Sequence, residues 1–292
     1  MMGLLNTDPK TGAVAGLLIS VAVWGVSFPV IKVAVGEMDS LLFINMRFLL
    51  SALIVLLYLL ATGRPIRRLV SGKTLWILGI TNGLGFVMEA FGLNFTTATK
   101  ASLLVNVNVV FMAMFSALLL GEKVKPKAKA GIAIGLLGVS LITTAGDVST
   151  VLDGSLIGDM IIFAGGIVWA YSMIYNKRAA TELRMTAMEV TESMTLTSAL
   201  TVLPFLAFSS FGFSPTPIAL ASVAYTAVFC TLVAFFLFYR ALRVLTIVNT
   251  GVIMLLEIVV ATIASSAFLG EALSPIGMAG GVLIGFAILL VS

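Results

Sequence analysis

Leu118-Leu119-Leu120-Gly121-Glu122-Lys123-Val124-Lys125-Pro126 and Ala267-Phe268-Leu269-Gly270-Glu271-Ala272-Leu273-Ser274-Pro275 decide how this chain is folded. Each leaves an apolar stretch through Leu-Gly-Glu and meets a proline four residues past the glutamate, and Glu122 and Glu271 stand 149 residues apart. Ala130-Gly131 and Ala279-Gly280 keep that step. Upstream, Trp24-Gly25-Val26-Ser27-Phe28 is similar to Trp169-Ala170-Tyr171-Ser172-Met173 at a step of 145. The chain therefore carries two copies of one unit, 1–146 and 147–292.

Both motifs sit in a sequence too apolar for water. Of 292 residues 60% are hydrophobic and only 10% charged, and the mean hydropathy is +1.16, so the polar groups cannot coat a soluble surface and the lipid bilayer must be the main solvent. A spanning helix needs about 20 apolar residues. Ten stretches qualify: 13–35, 41–62, 74–96, 99–120, 128–146, 156–176, 187–208, 217–240, 246–269 and 275–292. They are continuously apolar and do not alternate, which selects helices over a barrel. The first run is too long for a signal-peptide core and is expected to be retained as a span.

The basic residues orient the array. With the N-terminus inside, the inside segments hold Lys10, then Arg64, Arg67, Arg68 and Lys73, then Lys123, Lys125, Lys127 and Lys129, then Lys177, Arg178 and Arg184, and finally Arg240 and Arg243. That is 14 of the 17 basic residues. The outside links hold Glu37, Asp39, Asp147, Asp153 and Glu271, with Lys100 as their one base. This asymmetry predicts cytoplasmic termini. Because five is odd, the second copy begins on the opposite side from the first. The first Gly-Glu turn lies in a lysine-rich loop and the second in a loop without Lys or Arg. The fold class is all-α integral membrane, with ten transmembrane helices as two inverted-topology five-helix repeats, the usual architecture of secondary transporters.

Composition excludes several classes. The chain has no histidine and one cysteine, Cys230, so histidine-based triads, Cys or His metal sites and an intrachain disulfide are ruled out. No basic run is interleaved with aromatics, so no nucleic-acid partner is expected. Gly72-Lys73-Thr74 resembles the end of a P-loop, but Arg67 stands where the earlier glycine is required. Asn94-Phe95-Thr96 fits a glycosylation pattern but lies too near the bilayer. No enzymatic activity, metal or cofactor is expected.

The layout resembles the drug/metabolite transporter superfamily, specifically its ten-helix group with two EamA domains. The resemblance covers essentially the whole chain. It rests on Trp24-Gly25-x-Ser27-Phe28, on Leu120-Gly121-Glu122 and Leu269-Gly270-Glu271, and on Tyr239-Arg240-Ala241-Leu242 and Leu255-Leu256-Glu257. The family usually has proline where this chain has Val109 and Ile258, so a proline-made break in spans four and nine is not expected. The resemblance implies export of amino acids and related metabolites, including aromatic amino acids. Multidrug export and a channel-like role are the alternatives.

Ionisable and polar groups inside the spans are the candidate site, because a charge at the bilayer centre costs about 2.5 kcal/mol or more on insertion scales. Glu257 lies mid-span in the ninth helix, with Thr250 seven residues before it and Met254 on the same face. Its repeat mate is Asn108. Glu89 lies seven residues after Asn82, whose mate is Thr231. These residues suit the wall of a two-fold cavity, with interhelical hydrogen bonding as the competing role. Asn106 and Asn108 are about 200° apart on a helix, so at most one faces centrally. Trp24, Ser27, Trp169 and Tyr239 complete the substrate-binding candidates. Trp24 and Trp169 lie inside the interface belt and suit either stacking on a ligand or core packing; Tyr225 and Tyr239 carry the same two readings.

Arg47 and Lys32 are read as snorkelling to the outer headgroups or pairing locally with Glu37 and Asp39, in preference to the alternative of binding substrate. Gly131-x-x-x-Gly135 and Gly277-x-x-x-Gly281-x-x-x-Gly285 are small-residue faces, so spans five and ten either pack on each other or form a dimer contact. The expected assembly is a monomer or weak homodimer. Pro29 and Pro204 are read as possible kinks in spans one and seven. The expected partners are a small-molecule substrate and the lipid bilayer, and the expected location is the cell (inner) membrane.

Overall fold

The computed structural model describes residues 9–96, 98–144, 156–210, 216–270 and 274–291. The carboxylates Asp147, Asp153 and Glu271 lie outside these described residues. Within them the chain is helical and without strands. In order come α1 (Pro9–Glu37), α2 (Ser40–Thr62), α3 (Lys73–Gly92), α4 (Ala98–Asn106), α5 (Asn108–Leu120) and α6 (Pro126–Thr144). After them come α7 (Leu156–Thr181), α8 (Ala187–Val202), α9 (Pro217–Tyr225), α10 (Ala234–Leu242), α11 (Ile247–Met254), α12 (Leu256–Leu269) and α13 (Pro275–Val291). Joining α4 to α5, α9 to α10 and α11 to α12 makes ten spans in two inverted sets of five. Eight are long and apolar enough to cross a membrane on length and composition alone; α13 is a shorter apolar helix, and α6 begins with the basic residues Lys127 and Lys129.

The two Leu-Gly-Glu motifs are helix stops. Gly121 (φ 67, ψ 17) and Gly270 (φ 71, ψ 18) end α5 and α12 in the left-handed conformation that glycine enters without a Cβ clash. Repeat geometry recurs at the breaks in spans four and nine. Val107 (φ −59, ψ −18) and Leu255 (φ −58, ψ −20) tighten the helix, and the N–H groups of Val110 and Ile258 donate to the carbonyls three residues back, of Val107 and Leu255. Both spans are thus broken although neither has the family's proline. A 3₁₀ turn does the work, and Ile258 keeps a hydrogen-bonded N–H that proline would lack.

The eighth span carries a different irregularity. Thr226–Val233 is a π segment, and it turns backbone carbonyls toward neighbouring helices: Ala227 O accepts from Ser51 Oγ at 3.1 Å and Cys230 O from Trp24 Nε1 at 3.0 Å. Pro204 lies at the start of a 3₁₀ turn, Leu203–Phe208, that ends the seventh span. Pro29 lies inside α1, which continues as a helix to Glu37.

The halves interlock. α3 packs on α7 and α8, α1 on α10 and α12, and α6 on α13. The α6–α13 crossing is centred on Gly138 and Gly280, whose backbones touch, while Gly285 faces open space. The small-residue faces thus meet, with Gly131 against Ala287 and Val291 and Gly277 against Ile142 on either side of the Gly138–Gly280 contact.

Lys32 and Lys177 are repeat mates at the Trp24–Trp169 step of 145. Lys32 Nζ donates to Leu93 O (2.7 Å) and Thr96 O (2.8 Å), capping the last carbonyls beyond α3. Lys177 Nζ donates to Leu242 O (2.7 Å) and Leu245 O (2.8 Å), capping α10 at the opposite end of the bundle. Lys32 is therefore no headgroup snorkel; orphan helix-end carbonyls attract a cation more strongly than a distant interface does. Asp39 is engaged elsewhere, as the N-cap of α2. Lys100 is no loop residue either: it sits in α4, buried, with Nζ 2.6 Å from Asp159 Oδ2 of α7. Replacing Lys32 or Lys177 by methionine is expected to cost about 1.5–3 kcal/mol each, nearly additively because the sites are remote. Thermal melts of the single and double variants in detergent check this, and a strongly non-additive double variant would contradict independent caps.

Candidate functional site

A cavity lies where the two halves cross. Its walls obey the repeat. Trp24 and Ser27 of α1 are matched by Trp169 and Ser172 of α7. Phe86 of α3 is matched by Phe235 of α10, and the two rings meet edge-on with centroids 6.2 Å apart. Val105 and Asn108 flank the first helix break, and Met254 and Glu257 flank the second. Each of these pairs keeps the step of 145 or 149.

The aromatic wall is continuous. Trp24 packs edge-on against Phe235 (5.0 Å) and Phe238 (5.5 Å), and Trp169 against Phe86 (4.9 Å). Two glycines make the approach possible. A Cβ on Gly25 would come within 2.8 Å of the Glu257 carbonyl, so α1 and α12 touch at the backbone beside Glu257. A Cβ on Gly85 would run into the indole of Trp169.

The pseudo-symmetry fails at the charges. Glu89 faces the cavity where its mate is Phe238, and Glu257 where its mate is Asn108. Arg47 of α2 also lines the cavity and is 1% exposed. Its Nε donates to Thr231 Oγ1 at 3.0 Å, and its guanidinium lies 4.2 Å from the Phe86 ring centroid and 5.5 Å from that of Phe48. Glu89 feels the charge of Arg47, and Glu257 that of Glu89. Among the described residues no ion-pair contact or hydrogen bond uses the carboxyl of Glu89 or of Glu257 or the side-chain amide of Asn108. Glu257 stands in the first turn of α12 and Asn108 opens α5, so both polar groups sit at the N-terminal ends of half-helices, where the dipole favours negative charge.

Of the ten residues expected at a site, seven come together here: Trp24, Ser27, Asn82, Glu89, Asn108, Trp169 and Glu257. Three stand outside the wall. Thr231 is fully buried behind it, accepting from Arg47 and donating to Thr226 O at 2.9 Å. Tyr239 is fully buried, with its ring against Phe235 and Phe238. Thr250 turns its hydroxyl back to Thr246 O at 2.9 Å, and the break at Leu255 separates its helix from that of Glu257. Asn106 likewise folds back, onto Ser102 O at 2.7 Å, and only Asn108 points inward.

Nine of the sixteen wall residues were not among the expected site residues, Arg47, Phe86, Phe235 and Asn176 with them. Arg47 was readable as interfacial, yet it is the eighth residue of α2, about 10 Å along the helix from its start. That depth, counted from the Asp39 cap, is the signal that finds it. Phe86 and Phe235 were legible as repeat mates at the step of 149.

Inverted five-helix repeats enclosing a mid-chain cavity between broken helices define a multi-pass membrane transporter. The model of the EamA-like transporter family matches residues 11–144 and again 156–292, and the chain belongs to that family. It is 28% identical over 288 residues to "Uncharacterized inner membrane transporter YedA" of Escherichia coli, covering 97% of this chain and 90% of that protein. It is 28% identical over 272 residues to "Uncharacterized transporter YetK" of Bacillus subtilis, covering 90% and 81%. A "Probable amino-acid metabolite efflux pump" of Escherichia coli is 31% identical over 176 residues, 58% of this chain and 54% of that one. A solved crystal structure aligns over 97% of this chain and 98% of its own with a TM-score of 0.78 at 18% identity, which supports the fold.

Proposed function

We propose that this chain exports small amphipathic metabolites, with neutral or aromatic amino acids as cargo, by alternating access in the cell (inner) membrane with both termini cytoplasmic. The observation that carries the reading is the cavity itself: an aromatic wall built from repeat mates, interrupted by Asn108 and Glu257 at the two helix breaks. Apolar walls with a few placed polar groups suit small amphipathic solutes. In this reading Trp24 and Trp169 hold the side chain of the cargo, Asn82, Asn108 and the two serines orient its polar end, and Glu257 binds the amino group or carries a proton. The name of the efflux-pump relative points the same way.

Counterflow of labelled phenylalanine in proteoliposomes tests it. A carrier loaded with unlabelled amino acid accumulates label transiently against its gradient; a channel cannot. Equilibration without overshoot would reject the carrier. Overshoot driven by cationic drugs and not by amino acids would assign the same fold to multidrug export.

A further inference from the structure

We infer that Arg47 is the carboxylate-binding group of this cavity, and that the cargo is a zwitterion held by its carboxylate on the guanidinium and by its ammonium on Glu89 or Glu257. The inference rests on the exporter reading for the cargo's amino group, but the carboxylate assignment stands on Arg47 alone.

Arg47 is fully buried and half satisfied. Nε is taken by Thr231 and one guanidinium face by Phe86, while Nη1 and Nη2 have no hydrogen-bond partner. A guanidinium is always charged, and two unpaired donors in a low-dielectric site are costly unless a ligand meets them. The free edge is the pair of donors that grips a carboxylate bidentately, and Thr231 and Phe86 orient it without occupying it.

The other half of the molecule shows that packing does not require this charge. Along α2 and α8 the repeat step is 147, from the Asp39 cap to the Thr186 cap. Ser51 Oγ donates to Ala227 O, and its mate Ser198 Oγ donates to Gly79 O at 3.1 Å. At the same step Arg47 matches Met194, and Thr231 matches Asn82 at the step of 149. Asn82 Nδ2 reaches Met194 Sδ at 3.0 Å, so the contact that Arg47 makes with Thr231 is made in the second half by a thioether. A guanidinium placed where a methionine suffices structurally is there for its charge. Glu89 does not consume that charge, since no contact within ion-pair distance joins it to Arg47. One fork and two unengaged carboxyls in one cavity match the two ends of an α-amino acid.

The test is a binding series on one scaffold: L-phenylalanine, L-phenylalaninamide, phenethylamine and 3-phenylpropionate, each titrated against the purified full chain by thermal shift. L-Phenylalanine is expected to bind about tenfold or more tightly than L-phenylalaninamide and phenethylamine, 3-phenylpropionate to bind measurably, and Arg47→Gln to abolish both. Should Arg47→Gln fail to fold, Thr231→Val leaves the charge but frees the fork, and the preference is expected to shrink. Equal binding of amine and amino acid, a preference that survives Arg47→Gln, or no binding of either carboxylate would overturn the assignment. Binding of 3-phenylpropionate through Arg47 without binding of phenylalanine would instead reject the amino-acid cargo and leave Arg47 as a carboxylate site.

Discussion

Glu257→Gln is expected to lower phenylalanine uptake into proteoliposomes at least about tenfold while leaving the melting temperature nearly unchanged. The substitution keeps the shape of the side chain and removes its charge and its capacity to release a proton. A charge-assisted hydrogen bond contributes about 1.5–3 kcal/mol, and 1.4 kcal/mol is about tenfold in affinity. The position is held firmly, because α1 meets α12 at Gly25 within reach of the Glu257 carbonyl, so the variant cannot escape by sliding away. Stability should survive because among the described residues the Glu257 carboxyl makes no hydrogen bond that glutamine would break. Asn108→Ala is the weaker companion, removing a neutral partner. Uptake within about twofold of the parent in both variants would remove the two break positions from the site.

Gly138→Leu is expected to damage the scaffold strongly. A Cβ at Gly138 would stand 2.6 Å from Gly280 O and 2.9 Å from Ile284 Cγ1. The first obstacle is backbone, so no side-chain rotation relieves it and α6 must part from α13. Overpacking costs about 1–3 kcal/mol, and occasionally more, and in a bilayer there is no hydrophobic drive to bring the helices back together. A melt of the purified variant reads the loss. Gly285→Leu is the control: it has open space around its Cβ and should melt close to the parent. Similar melting of both variants would show that the crossing is not close-packed.

Much of the site was readable because inverted repeats write it twice. Trp24 with Trp169 and Ser27 with Ser172 announce themselves as mates, Lys32 with Lys177 keeps their step of 145, and Phe86 with Phe235 keeps the step of 149. What escaped was whatever depends on which way a helix is turned or how its turns are wound. Arg47 and Lys32 look like interfacial cations in a linear string, since each lies near a predicted outer end with carboxylates close by. Only packing shows that Arg47 lies on an aromatic ring behind a threonine and that Lys32 caps another helix. Thr250 and Glu257 share a face of an ideal helix, but the 3₁₀ turn at Leu255 breaks the 3.6-residue count between them.

By itself the sequence determined ten spans, the duplication and the inversion, because hydrophobic length and repeat parity are properties of a string and the bilayer reads them one segment at a time. Tertiary structure alone decided where the breaks and the π segment fall, which polar groups reach the cavity and which turn back to their own carbonyls. The energies that separate those outcomes are single hydrogen bonds, each contingent on a neighbour from the other half of the chain. For the same reason the second Leu-Gly-Glu could be recognised as a helix stop from residues alone, while the free edge of Arg47 could be recognised only once Thr231, Phe86 and Glu89 had been brought around it.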